Sequence, residues 1–225
     1  MDQKQSFQIG YLFLQQIYYE LKLPLICNAI TKRHAFQYDM NEILSRLVYG
    51  RILFPSSKLS TYKQSSSLFE KSSFSYHDIP RALSVIAEEY DFIQERLYKY
   101  SSEVLPRKTS VLYYDCTNFY FEIEEESGLR RYGKSKENRP NPIVQMGLFM
   151  DYSGLPLAMT ITNGNENEQK TLLPLEKKIL SDFELSNFVV CTDAGLSSES
   201  NRKFNNFGER FFVTTQSIRK MTKER

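Results

Sequence analysis

The chain has 225 residues, of which 41% are hydrophobic and 25% are charged, and its formal net charge is +2 at pH 7. This length supplies one large domain or two small ones, and the composition is that of an ordinary soluble globular protein. The small net charge does not by itself indicate a nucleic-acid partner, and no stretch approaches the roughly 18 apolar residues of a membrane span.

Residues 1–105 follow a helical pattern. Apolar residues recur at helical spacing in "YLFLQQIYYELKL", and in "YDMNEILSRLVYGRIL" they fall on one face after a cap candidate, Asp39 or Asn41. The longest candidate, "SYHDIPRALSVIAEEYDFIQERLYKYSSEVL", has Asp78 as its predicted cap. We expect this segment to break into two helices near Tyr90.

After the boundary at "PRK" the apolar period changes from helical to strand-like. "TSVLYYDC", continued by "NFYFE", predicts a strand, and two apolar runs joined by "DYSG" predict a hairpin. "NEQKTLLPLEKKILSDF" predicts a helix that Pro174 either bends or begins, and "NFVVCTD", "SSESNRKFNNFG" and "RFFVTT" predict a strand, a serine-capped helix and a strand. This order of elements indicates a mixed α/β sheet with helices packed on it.

Two of the predicted strands end on an aspartate, Asp115 in "VLYYD" and Asp193 in "FVVCTD". If these strands are parallel neighbours, both carboxylates lie at the edge of the sheet where ligand chemistry collects in α/β proteins. Two such carboxylates repel each other unless a cation or a proton lies between them, and Mg²⁺ (or Mn²⁺) is the cation that suits them. A turn or cap role is the alternative, and it suits Asp193, which precedes Ala194 and Gly195.

Four motifs follow one another around these aspartates: "YYDCTNFYFE", "LRRYGKSKENRPNPIVQMGLFMDYSGLPL", "NGNENEQKTLLPL" and "VVCTDAGLSSESNRKF". In this order they resemble the DDE/DDD transposases of bacterial insertion sequences, in the subgroup with a β-strand insertion before the third acid. The resemblance implies that Asp115 and Asp193 are the first two catalytic acids and metal ligands. It also implies that residues 106–225 form a ribonuclease-H-like core and that residues 1–105 are a helical region that helps to bind transposon ends.

The DDE/DDD transposases that the chain resembles use a third acid, usually Glu, on a helix well after the second aspartate. Glu199 and Glu209 follow Asp193 too closely for this role, and Glu224 is the penultimate residue, where chain ends fray. We therefore expect the third acid to be missing, the core to be incomplete at its C-terminus and the chain to be truncated. We also expect it to be inactive or nearly so by itself, because catalytic groups that act as a unit are strongly non-additive.

A basic segment, "RRYGKSKENR", follows the first strand and contains five basic residues and one acid. An isolated charge run of this kind is commonly a solvated loop. Beside a metal site, the same cations would contact backbone phosphates close to the position of cleavage. The candidate phosphate-binding residues are Arg130, Arg131, Lys134, Lys136 and Arg139.

Three functions are compatible with these features. The first is a transposase core that hydrolyses a phosphodiester at an insertion-sequence end and then joins the freed 3′ hydroxyl to target DNA. The second is a non-catalytic DNA-binding inhibitor that occupies transposon ends or pairs with a full-length transposase. The third is a Mg²⁺-dependent nuclease. The expected partners are DNA and a full-length transposase or a second copy of the chain, and no membrane.

The cellular location is predicted from cysteine use and from the first residues. Cys27, Cys116 and Cys191 form no CxxC pair, and "MDQKQSFQIG" lacks the basic segment and apolar core of a secretory signal. We therefore expect neither a zinc site nor a disulfide framework, and we expect a reducing, cytoplasmic setting in a bacterium, associated with the nucleoid.

Overall fold

The chain divides into two compact units, Met1–Leu105 and Pro106–Arg225. The computed structural model describes residues 6–196, 198–206 and 210–215. In those ranges the first unit is helical and the second contains a β-sheet with helices. No helix in them combines the length and the apolar character that a membrane crossing requires.

The first unit contains the helices α1 (Tyr11–Glu20), α2 (Leu23–Thr31), α3 (Met40–Leu53), α4 (Lys58–Ser65), α5 (Asp78–Glu88) and α6 (Tyr90–Val104). Asp39 caps α3, since its Oδ1 accepts a hydrogen bond from the backbone N–H of Glu42 at 2.9 Å. The prediction that Asp78 caps this helical segment is wrong. Its carboxylate accepts bonds from the N–H and hydroxyl of Ser75, and His77 occupies the N-cap position.

A buried tyrosine cluster lies at the centre of the first unit. The ring of Tyr49 lies 5.5 Å from that of Tyr11 and 5.8 Å from that of Tyr18, measured between centroids. The Tyr18 hydroxyl donates to Asn41 Oδ1 at 3.0 Å, so this phenol keeps a polar partner where water is excluded. The predicted break near Tyr90 separates α5 from α6.

The second unit is built on a five-stranded sheet. Its strands are β1 (Val111–Tyr120), β2 (Ile143–Asp151), β3 (Pro156–Asn163), β4 (Val189–Thr192) and β5 (Phe211–Thr214). They lie in the order β3-β2-β1-β4-β5. β2 is antiparallel to both of its neighbours, β1 and β3, whereas β1, β4 and β5 are parallel to one another. The predicted mixed α/β class, a mixed sheet with flanking helices that follows a helical region, is confirmed.

Two helices, α7 (Leu172–Asp182) and α8 (Glu199–Asn205), lie on one face of the sheet. On this face the Tyr114 ring crosses β2, where a Cβ on Gly147 would lie 2.1 Å from the Tyr114 hydroxyl oxygen, so glycine is required there. The same hydroxyl lies 2.6 Å from Thr171 Oγ1, just before α7 begins. Pro174 lies in the first turn of α7, where its missing N–H costs no helical bond.

The opposite face of the sheet carries large exposed apolar side chains. Side chains alternate between the two faces along each strand, and residues paired in register lie on the same face. These exposed side chains therefore all lie on the face away from α7 and α8. The exposed side chains of this face are Tyr113, Phe119, Ile161, Phe211 and Val213. Large exposed apolar side chains on one face promote association of copies and lower solubility.

A buried ion pair fixes the hairpin between β2 and β3. Arg107 Nε lies 2.5 Å from Asp151 Oδ2, and the two side chains are 5% and 0% exposed. Asp151 Oδ1 accepts the N–H groups of Ser153 and Leu155, and Arg107 Nη2 donates to the carbonyl oxygen of Pro156 at 2.8 Å. These bonds satisfy both charged groups away from water, which a buried pair requires.

We predict that Asp151→Asn lowers the free energy of unfolding of the second unit by about 3–5 kcal/mol, because it leaves the Arg107 charge buried without a partner charge. Urea unfolding followed by circular dichroism measures the change. Asp182→Asn, at an exposed position at the end of α7, is the control. Equal midpoints for the two variants would contradict a stabilising role of the pair.

A second buried acid, Glu176, links α7 to α8 and β5. Its side chain is fully buried, its Oε2 accepts a bond from Asn205 Nδ2 at 2.9 Å, and its Oε1 lies 3.7 Å from Arg210 Nη1. Burial raises the pKa of Glu176 to about 7, and the Asn205 amide and the Arg210 guanidinium offset this only in part. The folded chain therefore keeps a proton that the unfolded chain releases at a lower pH.

The raised pKa of Glu176 predicts that stability falls as the pH rises from 4.5, the ordinary pKa of Glu, to about 7. The proton-linked part of this loss is roughly 3 kcal/mol, and it is complete above the folded-state pKa. Glu176→Gln should remove this part of the pH dependence, whereas Glu125→Gln, on an exposed loop, should keep it. Urea unfolding at pH 5 and pH 8 tests this, and an unchanged pH difference in Glu176→Gln would refute it.

Candidate metal and nucleic-acid site

The parallel pairing of β1 with β4 brings Asp115 and Asp193 to equivalent positions. Tyr113 is the register partner of Cys191, and each aspartate follows its member of this pair by two residues. Asp115 lies within β1, and its side chain is 71% exposed. Asp193 directly follows the last residue of β4 and is also exposed. The two carboxyl-bearing positions therefore lie at the same level of two hydrogen-bonded strands.

The turn that contains Asp193 is held from both sides. The Thr214 hydroxyl donates to the carbonyl oxygen of Asp193 at 3.1 Å, and Gln169 Nε2 donates to the carbonyl oxygen of Gly195 at 2.9 Å. Asp193 Oδ1 also accepts the N–H of Leu196 at 3.2 Å, which is the turn role that the sequence allowed. A turn role and a ligand role are compatible, because this bond uses one of the two carboxylate oxygens.

The cation beside Asp115 is Lys136. Its Nζ lies 3.8 Å from Asp115 Oδ1 and donates a hydrogen bond to the carbonyl oxygen of Cys116. The two side chains are 46% and 71% exposed, so water screens the pair, and its contribution to stability is about 1 kcal/mol or less. Such a pair neutralises Asp115 without holding it rigidly.

The donor set of the two aspartates fits a divalent cation that keeps other ligands. Mg²⁺ is held in many proteins by one or two carboxylates and retains water and phosphate oxygens in its remaining positions. In the part of the chain that the structure describes, no three side chains of His, Cys, Asp or Glu come together as a metal site. Glu199 is directed elsewhere, since its Oε1 pairs with Lys203 Nζ at 2.7 Å.

The basic segment 130–139 has a defined path along β1. Asn118 Nδ2 donates to the carbonyl oxygen of Lys134 at 3.4 Å, and Asn118 Oδ1 accepts the N–H of Lys136 at 3.2 Å. One residue before Lys134, Gly133 packs against the backbone of Gly164. A Cβ on Gly133 would lie 2.0 Å from the Gly164 carbonyl oxygen. The two contacts direct the segment towards Asp115.

Two arginines of this segment lie over aromatic rings near the end of β1. The guanidinium carbon of Arg130 lies 5.5 Å from the ring centroid of Phe121, and that of Arg139 lies 4.8 Å from the ring centroid of Tyr120. Stacking of this kind leaves the edges of the guanidinium groups for other acceptors.

The acidic run before the basic segment pairs with it. Glu126 accepts the backbone N–H of Tyr132 at 2.7 Å and lies 3.2 Å from Arg131 Nη1. The Tyr132 N–H and then the Arg131 guanidinium hold the pKa of Glu126 below its ordinary value. Lys134 lies on the exposed part of the loop. Of the five predicted phosphate-binding residues, the structure therefore brings Lys136 to Asp115 and spreads the other four along the loop.

Three positioning residues were not predicted from the sequence: Asn118, Gln169 and Thr214. Asn118 was detectable as the one amide side chain in an aromatic strand, three residues after Asp115. Gln169 belongs to the motif "NGNENEQKTLLPL", in which the sequence singled out no site residue. No local signal distinguishes Thr214, because its contact with Asp193 depends on the pairing of β4 with β5.

Comparison with known proteins gives weak structural similarities. No protein-family model matches the chain, and no curated protein matches it. The chain is similar to a piggyBac transposase synaptic complex with hairpin DNA, at 10% identity and a TM-score of 0.42, over 84% of this chain and 45% of that chain. It is also similar to the Mos1 mariner paired-end complex with Mn, at 11% identity and a TM-score of 0.33, over 80% of this chain and 60% of that chain.

The chain therefore spans 45% to 60% of the length of these solved chains. At such low identity and TM-scores, the similarities contribute nothing to the assignment of the site. The placement of Asp115 and Asp193 rests on strand register and on the contacts described above.

We predict that Asn118→Ala loosens the basic segment, because it removes two side-chain hydrogen bonds of about 1 kcal/mol each. At a protease concentration low enough that the loop opens and closes faster than it is cut, the cleavage rate follows the population of the open loop. Trypsin should then cleave after Lys134 and Lys136 several-fold faster than in the unmodified chain. Asn206→Ala, at an exposed residue after α8, is the matched control. Cleavage at the rate of the control would show that Asn118 does not anchor the loop.

Proposed function

We propose that this chain is the core region of a DDE/DDD transposase of a bacterial insertion sequence. In this proposal the chain takes part in metal-dependent phosphodiester hydrolysis and strand transfer at the ends of the element. The supporting observation is the parallel pairing of β1 with β4, since Asp115 and Asp193 each follow the register pair Tyr113 and Cys191 by two residues. Residues 1–105 are proposed to contribute contacts to transposon DNA.

The proposed roles of the residues follow from their positions. Asp115 and Asp193 hold a divalent cation, Mg²⁺ or Mn²⁺, which when bound supplies positive charge to the phosphodiester oxygens and activates the nucleophile. The sheet sets the position of Asp115, and Thr214 and Gln169 set the position of the Asp193 turn. The basic segment 130–139 supplies cations for backbone phosphates on the same side of β1.

Catalysis by the chain alone is proposed to be slow or absent. In residues 6–196, 198–206 and 210–215, no third acid joins Asp115 and Asp193 in a metal site. Acids that work as a unit lose most of their effect when one is absent. The same observation favours the second candidate function, a non-catalytic DNA-binding protein that occupies transposon ends or pairs with a full-length transposase.

We expect Asp115→Asn and Asp193→Asn each to weaken Mn²⁺ binding by at least about tenfold, because each removes one of two anionic ligands. Calorimetric titration of the purified chain with Mn²⁺ measures this, and Asp182→Asn, at the exposed last residue of α7, is the control. Binding to a duplex with transposon-end sequence should persist in both variants, since their charge change does not remove a phosphate-binding cation.

The outcomes separate the candidate functions. Mn²⁺ affinity that is the same in the unmodified chain and in Asp115→Asn would remove the metal-site proposal. DNA binding without any Mn²⁺ binding would favour the inhibitor, and Mn²⁺-dependent cutting without joining of 3′ ends would favour a nuclease.

A further inference from the structure

We propose that Lys136 is a tethered competitor for the divalent cation at Asp115. Its ammonium group neutralises the carboxylate in the metal-free chain and leaves it when a divalent cation binds. This inference rests on the proposed function, since it requires that Asp115 is a metal ligand. It adds a residue that sets the affinity of the site and links metal binding to phosphate binding.

Three contacts with β1 fix the position of Lys136. The side-chain Nζ lies 3.8 Å from Asp115 Oδ1 and donates to the carbonyl oxygen of Cys116, the next residue of β1. The backbone N–H of Lys136 donates to Asn118 Oδ1. Asp115, Cys116 and Asn118 of β1 therefore contact both ends of the lysine, and the ammonium lies beside the acid.

The charge of the ammonium opposes a divalent cation at the same carboxylate. A cation bound to Asp115 at an ordinary Mg²⁺–oxygen distance of about 2.1 Å would lie within roughly 4–6 Å of Lys136 Nζ if the lysine stayed in place. Repulsion between charges of +1 and +2 at that distance weakens binding even in a solvent-like dielectric. Because the lysine can leave, the free energy of its screened pair with Asp115 limits the effect, and removal of the ammonium should tighten metal binding by up to about fivefold at low ionic strength.

Because the Lys136 side chain is half-exposed, the ammonium can move from Asp115 into solvent when it is displaced. Lys136 is 46% exposed, and its stem allows the ammonium to turn from Asp115 to an incoming phosphate without moving the anchored backbone. One cation then serves either the acid or the phosphate. Because linkage is reciprocal, a nucleic-acid phosphate that takes Lys136 would favour metal binding at Asp115, and metal binding would favour the phosphate.

Lys134 supplies a matched comparison two residues earlier on the same loop. Its carbonyl oxygen accepts a bond from Asn118 Nδ2, and its side chain lies at an exposed position. The ion pair with Asp115 is made by Lys136. Loss of charge at either lysine changes the net charge equally, so a difference in metal affinity between the two variants reports the local contact.

The test titrates the full chain with Mn²⁺ alone, by calorimetry at low ionic strength, with thermal unfolding as a check of folding. Lys136→Gln is expected to bind Mn²⁺ up to about fivefold more tightly than the unmodified chain. Lys136→Arg, which keeps the charge, and Lys134→Gln, which removes a charge elsewhere on the loop, are expected to change the affinity less than about threefold. Asp115→Asn reports whether the carboxylate is the binding site.

Each result either supports or overturns the inference. Equal or weaker Mn²⁺ binding by Lys136→Gln, with binding lost in Asp115→Asn, overturns the competitor role and leaves the metal site intact. Equal tightening in Lys134→Gln shows a general effect of loop charge and also overturns it. Absence of Mn²⁺ binding in every variant overturns both the inference and the proposed metal site.

Discussion

The parallel pairing of β1 with β4 is the constraint on which the proposed chemistry depends. These two strands are distant in the chain, and their register alone places Asp115 and Asp193 at one level of the sheet. Because side chains alternate along a strand, a shift by one residue would turn one carboxylate towards the helix-covered face. The aspartates can therefore act together only while this register is kept.

Contacts with the neighbouring elements hold β1 and the end of β4 in place. On the helix-covered face, the Tyr114 ring fits against β2 because Gly147 has no side chain, and its hydroxyl meets Thr171 at the start of α7. On the β5 side, Thr214 binds the backbone of Asp193. The acids themselves are exposed and contribute little to this support, as expected for a site that must accept a cation and a phosphate. Stability and proposed function thus depend on different residues of the same strands.

Two kinds of ionic interaction occur in the second unit, with different consequences. Arg107 with Asp151 is buried, so each charge needs its partner and its hydrogen bonds, and Glu176 beside Arg210 is buried enough to keep its proton up to about pH 7. Lys136 with Asp115 is solvated, so the two groups can separate at small cost. Burial therefore makes the first kind structural, whereas exposure leaves the second kind free to exchange one cation for another.

The amino-acid sequence by itself determined the order of helices and strands and the mixed α/β class. These features depend on periodicity, caps and turn residues, which act over a few neighbouring positions. Local signals also identified the Asp39 cap and the break near Tyr90. They misassigned Asp78, because its serine partner in the preceding turn competes with the helix N-terminus for the same carboxylate.

Only the tertiary structure decided which of five basic residues meets Asp115, and which acids are buried. The selection of Lys136 depends on the Asn118 contacts and on the close approach of Gly133 to Gly164, between segments that no local pattern pairs. Burial of Glu176 likewise depends on how α8 and β5 pack against α7. Such contacts are set by the path of the whole chain, because proximity in space across long sequence separations leaves no periodic trace in the residues between.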